Sequence, residues 1–204
     1  METIIIATHN RGKLAEFRRM LAPLGYEAVS AEEAGCPDEI EETGTTFAEN
    51  AVLKAKAVCK ASGLPAIGDD SGLCVDCLSG APGVYTARYA GEHGTPDMCM
   101  EKLLRALDGV PAEKRGAHFA CAIALCRPDG KILLAEGRCN GSIAFQKDGG
   151  GGFGYDPIFL YKGKSFAALP PEEKDAVSHR GAALRNLTEL LLRESEPHPA
   201  PQIP

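Results

Sequence analysis

Residues 3–25, "TIIIATHNRGKLAEFRRMLAPLG", set the fold class. The opening "TIIIAT" is a short, wholly apolar strand of the kind found inside a sheet covered on both faces. After the polar turn "HN", Leu14, Phe17, Leu21 and Leu24 recur at helical spacing and the pattern stops at Gly25. Strand, polar turn and helix open an α/β domain.

The rest of the chain extends that reading. "TTFAENAVLKAKAVCKASG" is a second helix, with Phe47, Ala51, Ala55 and Val58 along one side and Gly63 as its stop. A third begins at Thr95 with Pro96 at its first position and ends at Gly109. "AHFACAIALC" and "KILLAEG" read as strands joined by the hairpin signal "RPDG", and a further strand is expected at about 138–146. The last helix is expected from Ser178 to Arg193. Hairpins beside a strand-helix opening imply a long mixed sheet flanked by helices. Residues 1–194 read as one domain. Residues 195–204, "SEPHPAPQIP", carry four prolines and read as a disordered tail.

Composition narrows the function. The 204 residues are 44% hydrophobic and 25% charged with a net charge of −6, and the charges are interleaved. That balance offers no broad basic footprint for nucleic acid. No apolar run spans a membrane, and "METIIIATHN" lacks the pattern of a secretory signal, so a cytoplasmic protein is expected. The eight cysteines are scattered through helices and strands, which suits reduced thiols. Cys74 and Cys77 form a CxxC, but no second pair accompanies them for zinc.

Five stretches suggest chemistry. "THNRGK", residues 8–13, lies at a helix start, where unpaired N–H groups and Lys13 favour an anion such as phosphate; it is not a Walker A loop. In "EETGTTFAENAVLKAK", Thr46 and Glu49 have capping-box spacing, which leaves Glu42 and the inward-leaning Lys54 without a structural reason. "GDDSGL", residues 68–73, sets Asp69 beside Asp70 after an apolar run, as a divalent cation or a catalytic task would require. "GGGGFGYDP", residues 149–157, permits close backbone approach and follows it with Phe153 and Tyr155 as stacking surfaces and Asp156 as an acceptor. Lys174, His179 and Arg180 gather cations around a helix start, where they oppose the dipole and need a partner. Phosphate, divalent cation and base together describe a nucleotide, with Asp69 and Asp70 holding Mg²⁺ against a polyphosphate.

In this order the stretches "ATHNRGK", "EETGTTFAENAVLKA", "DDSGL", "APGVYTARYAG", "GGFGYDPIF" and "EEKDAVSHRGAAL" resemble the inosine triphosphate pyrophosphatase, or Ham1, family. The resemblance implies two α/β lobes with a cleft between them, a homodimer, and Mg²⁺-dependent hydrolysis of ITP, dITP and XTP to the monophosphate and pyrophosphate. It implies that Thr8, His9, Asn10, Arg11, Gly12, Lys13 and Lys54 hold the triphosphate. Glu42 and Asp70 would serve the metal, with Asp70 also taking the proton of water, and Ser71 would touch substrate. Phe153, Gly154, Tyr155 and Asp156 would surround the nucleoside, and Lys174, His179 and Arg180 would read the base. "VYTAR" departs slightly, with Thr86 where serine is expected.

Overall fold

The computed structural model describes residues 2–36 and 40–195. Strand β1 (Glu2–Ala7) leads through the "THN" turn into helix α1 (Arg11–Leu21), whose N-cap is Asn10. After β2 (Tyr26–Ser30), helix α2 (Phe47–Ser62) starts on a full capping box between Thr46 and Glu49 and ends on Gly63 in the left-handed region. Strand β3 (Ala66–Val75) follows. A 3-10 helix (Gly83–Arg88) and helix α3 (Pro96–Ala106) precede the long hairpin of β4 (Gly116–Cys126) and β5 (Ile132–Ile143). Short strands β6 (Phe159–Tyr161) and β7 (Lys164–Ser165), then helices α4 (Pro171–Val177) and α5 (His179–Ser195), complete the described chain.

One seven-stranded sheet has the order β2-β1-β3-β4-β5-β6-β7. β1 pairs in parallel with β2 and β3, and every later pairing is antiparallel. The mixed sheet expected from the sequence is therefore present. Side-chain alternation along its strands sorts the core. Ile4, Ile6, Ile67, Ile123 and Leu125 face α1 and α5. Ile5, Ala7, Ala66, Ala122 and Ala124 face α2. A third apolar cluster, around Leu73, Leu103, Phe119, Phe159 and Phe166, fills the end of the molecule under α3.

Small residues on the α2 side let that helix lie close to the sheet. At Gly68 a Cβ would run into the Ala51 carbonyl and come within 2.6 Å of the Ala55 nitrogen, both backbone atoms that cannot swing aside. Gly68→Ala is accordingly expected to destabilise the protein by about 1–3 kcal/mol, an overpacking cost readable as a shift in the urea midpoint at unchanged m-value.

One sequence expectation changes, and one helix is added to those expected. No separate strand occupies 138–146; β5 runs unbroken through Gly137, because a side chain there would collide with the backbone of His179 and Ala183 in α5. The segment before the last helix is itself helical, since Pro171 supplies a first-turn residue and starts α4. The expected tail lies outside the described residues, apart from Ser195 at the end of α5.

Candidate active site

A cavity of about 400 Å³ opens where the sheet leaves the α1/α2 end for the α3 end. One wall is the turn from β1 to α1. Asn10 Oδ1 accepts from the Lys13 amide at 3.1 Å, and the Asn10 amide donates to Thr8 Oγ1 at 3.2 Å. Thr8, His9, Asn10 and Lys13 line the cavity, whereas Arg11 is exposed and Gly12 lies under the Phe153 ring.

Strand alternation divides the acidic pair. Asp69 and Asp70 are neighbours inside β3, so their side chains leave opposite faces of the sheet. Asp70 points to the α2 side and lines the cavity. Its Oδ2 accepts from Asn50 Nδ2 at 3.0 Å, and its Oδ1 lies 3.6 Å from Lys54 Nζ. The same ammonium is 2.9 Å from Glu42 Oε1, so Glu42 and Asp70 meet at one point. Burial raises the pKa of Asp70, with Lys54 and the Asn50 hydrogen bond opposing. Burial alone would lower the pKa of Lys54, but Asp70, Asp69 and Glu42 outweigh it and raise it.

Asp69 points the other way and is fully buried. Lys13 Nζ lies 2.6 Å from its Oδ1, Arg180 Nε 3.2 Å from its Oδ2, and the Cys121 thiol donates to Oδ2 at 3.0 Å. Although burial acts to raise its pKa, Arg180, Lys13 and Lys54 hold it far below the usual carboxylate range. The metal role expected of Asp69 is thus corrected: its oxygens are committed to cations and it does not line the cavity.

From Asp69 a ladder of buried ion pairs crosses the site. Arg180 contacts Glu16, Glu16 Oε1 is 2.8 Å from Lys174 Nζ, and Lys174 Nζ is 2.6 Å from Asp156 Oδ2. Asp156 Oδ2 also accepts from the Phe153 amide at 2.8 Å, which ties the glycine loop down. Burial raises the pKa of Asp156 against the pull of Lys174. The partner that Arg180 needs at the helix start is therefore supplied by the chain, and Arg180 also donates from Nε and Nη2 to Asp69 and from Nη2 to Ser71. Glu16 escapes sequence reasoning because an acid three residues after Lys13 on an amphipathic helix reads as solvated. The cations that lacked partners were its only signal.

The far wall is aromatic. Phe153 lines it, with Lys174 Nζ 4.5 Å from its ring centroid. Tyr155 is not a free stacking face: its ring belongs to the core and its hydroxyl donates to the Thr86 carbonyl at 3.0 Å. His179 stacks on Phe119 at 4.6 Å between centroids. Burial, and then Arg180, push its pKa well below the ordinary value, so the ring is neutral. Its Nδ1 has no hydrogen-bond partner among the described residues. Gly154, Asp156, Lys174, Arg180 and Ser71 also line the cavity. Cys74 and Cys77 lie elsewhere as free thiols, and among the described residues no cluster of His, Cys, Asp or Glu is by itself a metal cage.

A mixed α/β sheet with a helix start and lysines on one wall of a cleft, acids at its corner and an aromatic face opposite, defines a protein that binds small phosphorylated molecules. The sequence profile of the Ham1 family matches residues 4–190, and the chain belongs to that family. The dITP/XTP pyrophosphatase of Streptomyces coelicolor is 48% identical over 195 residues, covering 94% of this chain and 98% of that protein. The dITP/XTP pyrophosphatase of Bacillus subtilis is 49% identical over 193 residues, with coverage of 94% and 98%. Among solved structures, a HAM1 protein from Coxiella burnetii superposes with a TM-score of 0.83 at 43% identity, covering 95% of this chain and 100% of that one.

Proposed function

We infer that this protein is a nucleoside triphosphate pyrophosphatase that hydrolyses deaminated purine nucleotides, ITP, dITP and XTP, to the monophosphate and pyrophosphate. The observation that carries the reading is the meeting of Glu42 and Asp70 at Lys54 within a cleft whose other wall offers Phe153 and His179. Relatives named for dITP and XTP support the substrate class.

Two hard carboxylates 2.9 and 3.6 Å from one ammonium suit Mg²⁺, which takes one or two carboxylates together with phosphate oxygens and water. Glu42 and Asp70 would hold it, and it would offset charge on the phosphates. The residues of the chain supply the rest. The Thr8–Asn10 turn and Lys13 grip phosphate oxygens, and Lys54 faces the scissile region. Asp70, placed by Asn50 beside Lys54 and Glu42, accepts the proton of the attacking water as the α-phosphorus–oxygen bond breaks toward pyrophosphate.

Phe153 provides the face for the purine. Base reading falls to His179, whose Nδ1 has no partner among the described residues, rather than to Arg180, which is held by Glu16, Asp69 and Ser71. A neutral imidazole has one N–H, which pairs with the 6-oxo acceptor of hypoxanthine or xanthine and opposes the 6-amino group of adenine.

Product analysis tests the reading. With ITP and Mg²⁺, IMP and pyrophosphate are expected. IDP and phosphate would make the protein a γ-phosphate-transferring enzyme, and unchanged ITP would make it a nucleotide sensor. The family resemblance also carries an expected homodimer, measurable by sedimentation equilibrium.

A further inference from the structure

The segment "VYTAR", residues 84–88, lies on the cavity wall, and the functions described so far use none of its side chains. Arg88 ends the 3-10 helix and lines the cavity beside Glu42, with Nη1 4.0 Å from Glu42 Oε2. Its side chain is 44% exposed, its guanidinium lies 5.1 Å from the centroid of the Tyr85 ring, and among the described residues that guanidinium donates no hydrogen bond. The other cations of the wall differ. Lys13, Lys54, Lys174 and Arg180 each stand within 3.2 Å of a carboxylate oxygen. Arg88 alone among these five keeps its donors uncommitted.

The backbone that carries Arg88 is held firmly. The Leu73 amide donates to Thr86 Oγ1 at 2.9 Å, and the Tyr155 hydroxyl donates to the Thr86 carbonyl at 3.0 Å. These two bonds fasten the segment to the strand of Asp70 on one side and to the Phe153–Asp156 loop on the other. A fixed backbone with an unspent guanidinium is the arrangement of an anion grip, because the planar fork matches phosphate oxygens in pairs. A purely structural arginine would gain little here, since an exposed ion pair at 4.0 Å contributes little to stability.

We propose that Arg88 is a catalytic residue that grips the terminal phosphates of the substrate and disperses the charge of the departing pyrophosphate. This rests on the pyrophosphatase reading. As water oxygen bonds to the α-phosphorus, the electron pair of the breaking bond passes to the bridging oxygen of pyrophosphate, and Arg88 stands on the Glu42 side of the cavity to receive that charge.

Arg88→Ala tests it. Relative to wild type, kcat for ITP is expected to fall about 100-fold and inhibition by pyrophosphate to weaken at least roughly tenfold, while inhibition by IMP and the melting temperature stay unchanged. Added guanidinium should restore part of the lost turnover, and Arg88→Lys should fall between. Turnover and pyrophosphate inhibition both within about threefold of wild type would overturn the proposal. If the wild type released no pyrophosphate from ITP, the broader reading would fail instead. Calorimetric titration with inorganic pyrophosphate and Mg²⁺ would then decide the Arg88 claim: tighter binding to wild type supports it, and equal binding to both proteins overturns it.

Discussion

Asp69→Asn is expected to lower the folding stability by about 3–5 kcal/mol, the cost of leaving buried cations without their counter-charge. For a protein of this size that is a drop in Tm of roughly 10 °C. The carboxylate lies within ion-pair distance of both Lys13 and Arg180, and asparagine retains its shape but not its charge. The pH dependence has a definite sign. Because the folded-state pKa of Asp69 lies far below its ordinary value near 3.8, its stabilisation is fully present above that value and is lost as the pH falls below it. Melts of variant and wild type should differ near neutral pH and converge in acid. A melting temperature unchanged at neutral pH would remove Asp69 from this structural role.

Asp70→Asn is expected to behave in the opposite way, losing roughly 10²- to 10⁴-fold in kcat without loss of stability. The substitution keeps the contact with Asn50 and leaves Lys54 paired with Glu42 at 2.9 Å. Burial raises the pKa of Asp70 above 3.8, so the folded state binds this proton more tightly than the unfolded state does. The contribution of Asp70 to stability is therefore greatest in acid and declines as the pH rises from its ordinary value to its folded one. Near neutral pH the charge is a burden to the fold, and Tm of the variant should equal or exceed that of wild type. Near-normal turnover by Asp70→Asn would assign proton transfer to another group.

These contrasting outcomes mark what the sequence can and cannot convey. Local signals were legible: Thr46 and Thr95 cap their helices, Gly63 ends one, and "RPDG" joins the β4–β5 hairpin. The cavity wall was also legible in large part, because the "THN" turn, Glu42, Lys54, Asp70, Phe153 and His179 all reach it. The adjacent acids read from sequence as a pair serving one ion. Inside β3 alternation forbids that. Glu16 and the internal pairing of Arg180 were hidden because they join residues 164 positions apart. Tyr155 looked like a loop-tip aromatic, but packing against the α3 cluster turned it inward. Each miss is a tertiary contact, which no local window contains.

The side-by-side acids have a consequence for how this chain tolerates changes in length. A single codon gained or lost within β3 ahead of Asp69 would exchange the two carboxylates, sending the keystone into the cleft and the proton acceptor into the salt-bridged interior. The same change in the Gly63–Pro65 link, before the strand begins at Ala66, would leave both on their proper sides. Insertion scanning across 62–72 should therefore show an abrupt boundary at the first residue of the strand.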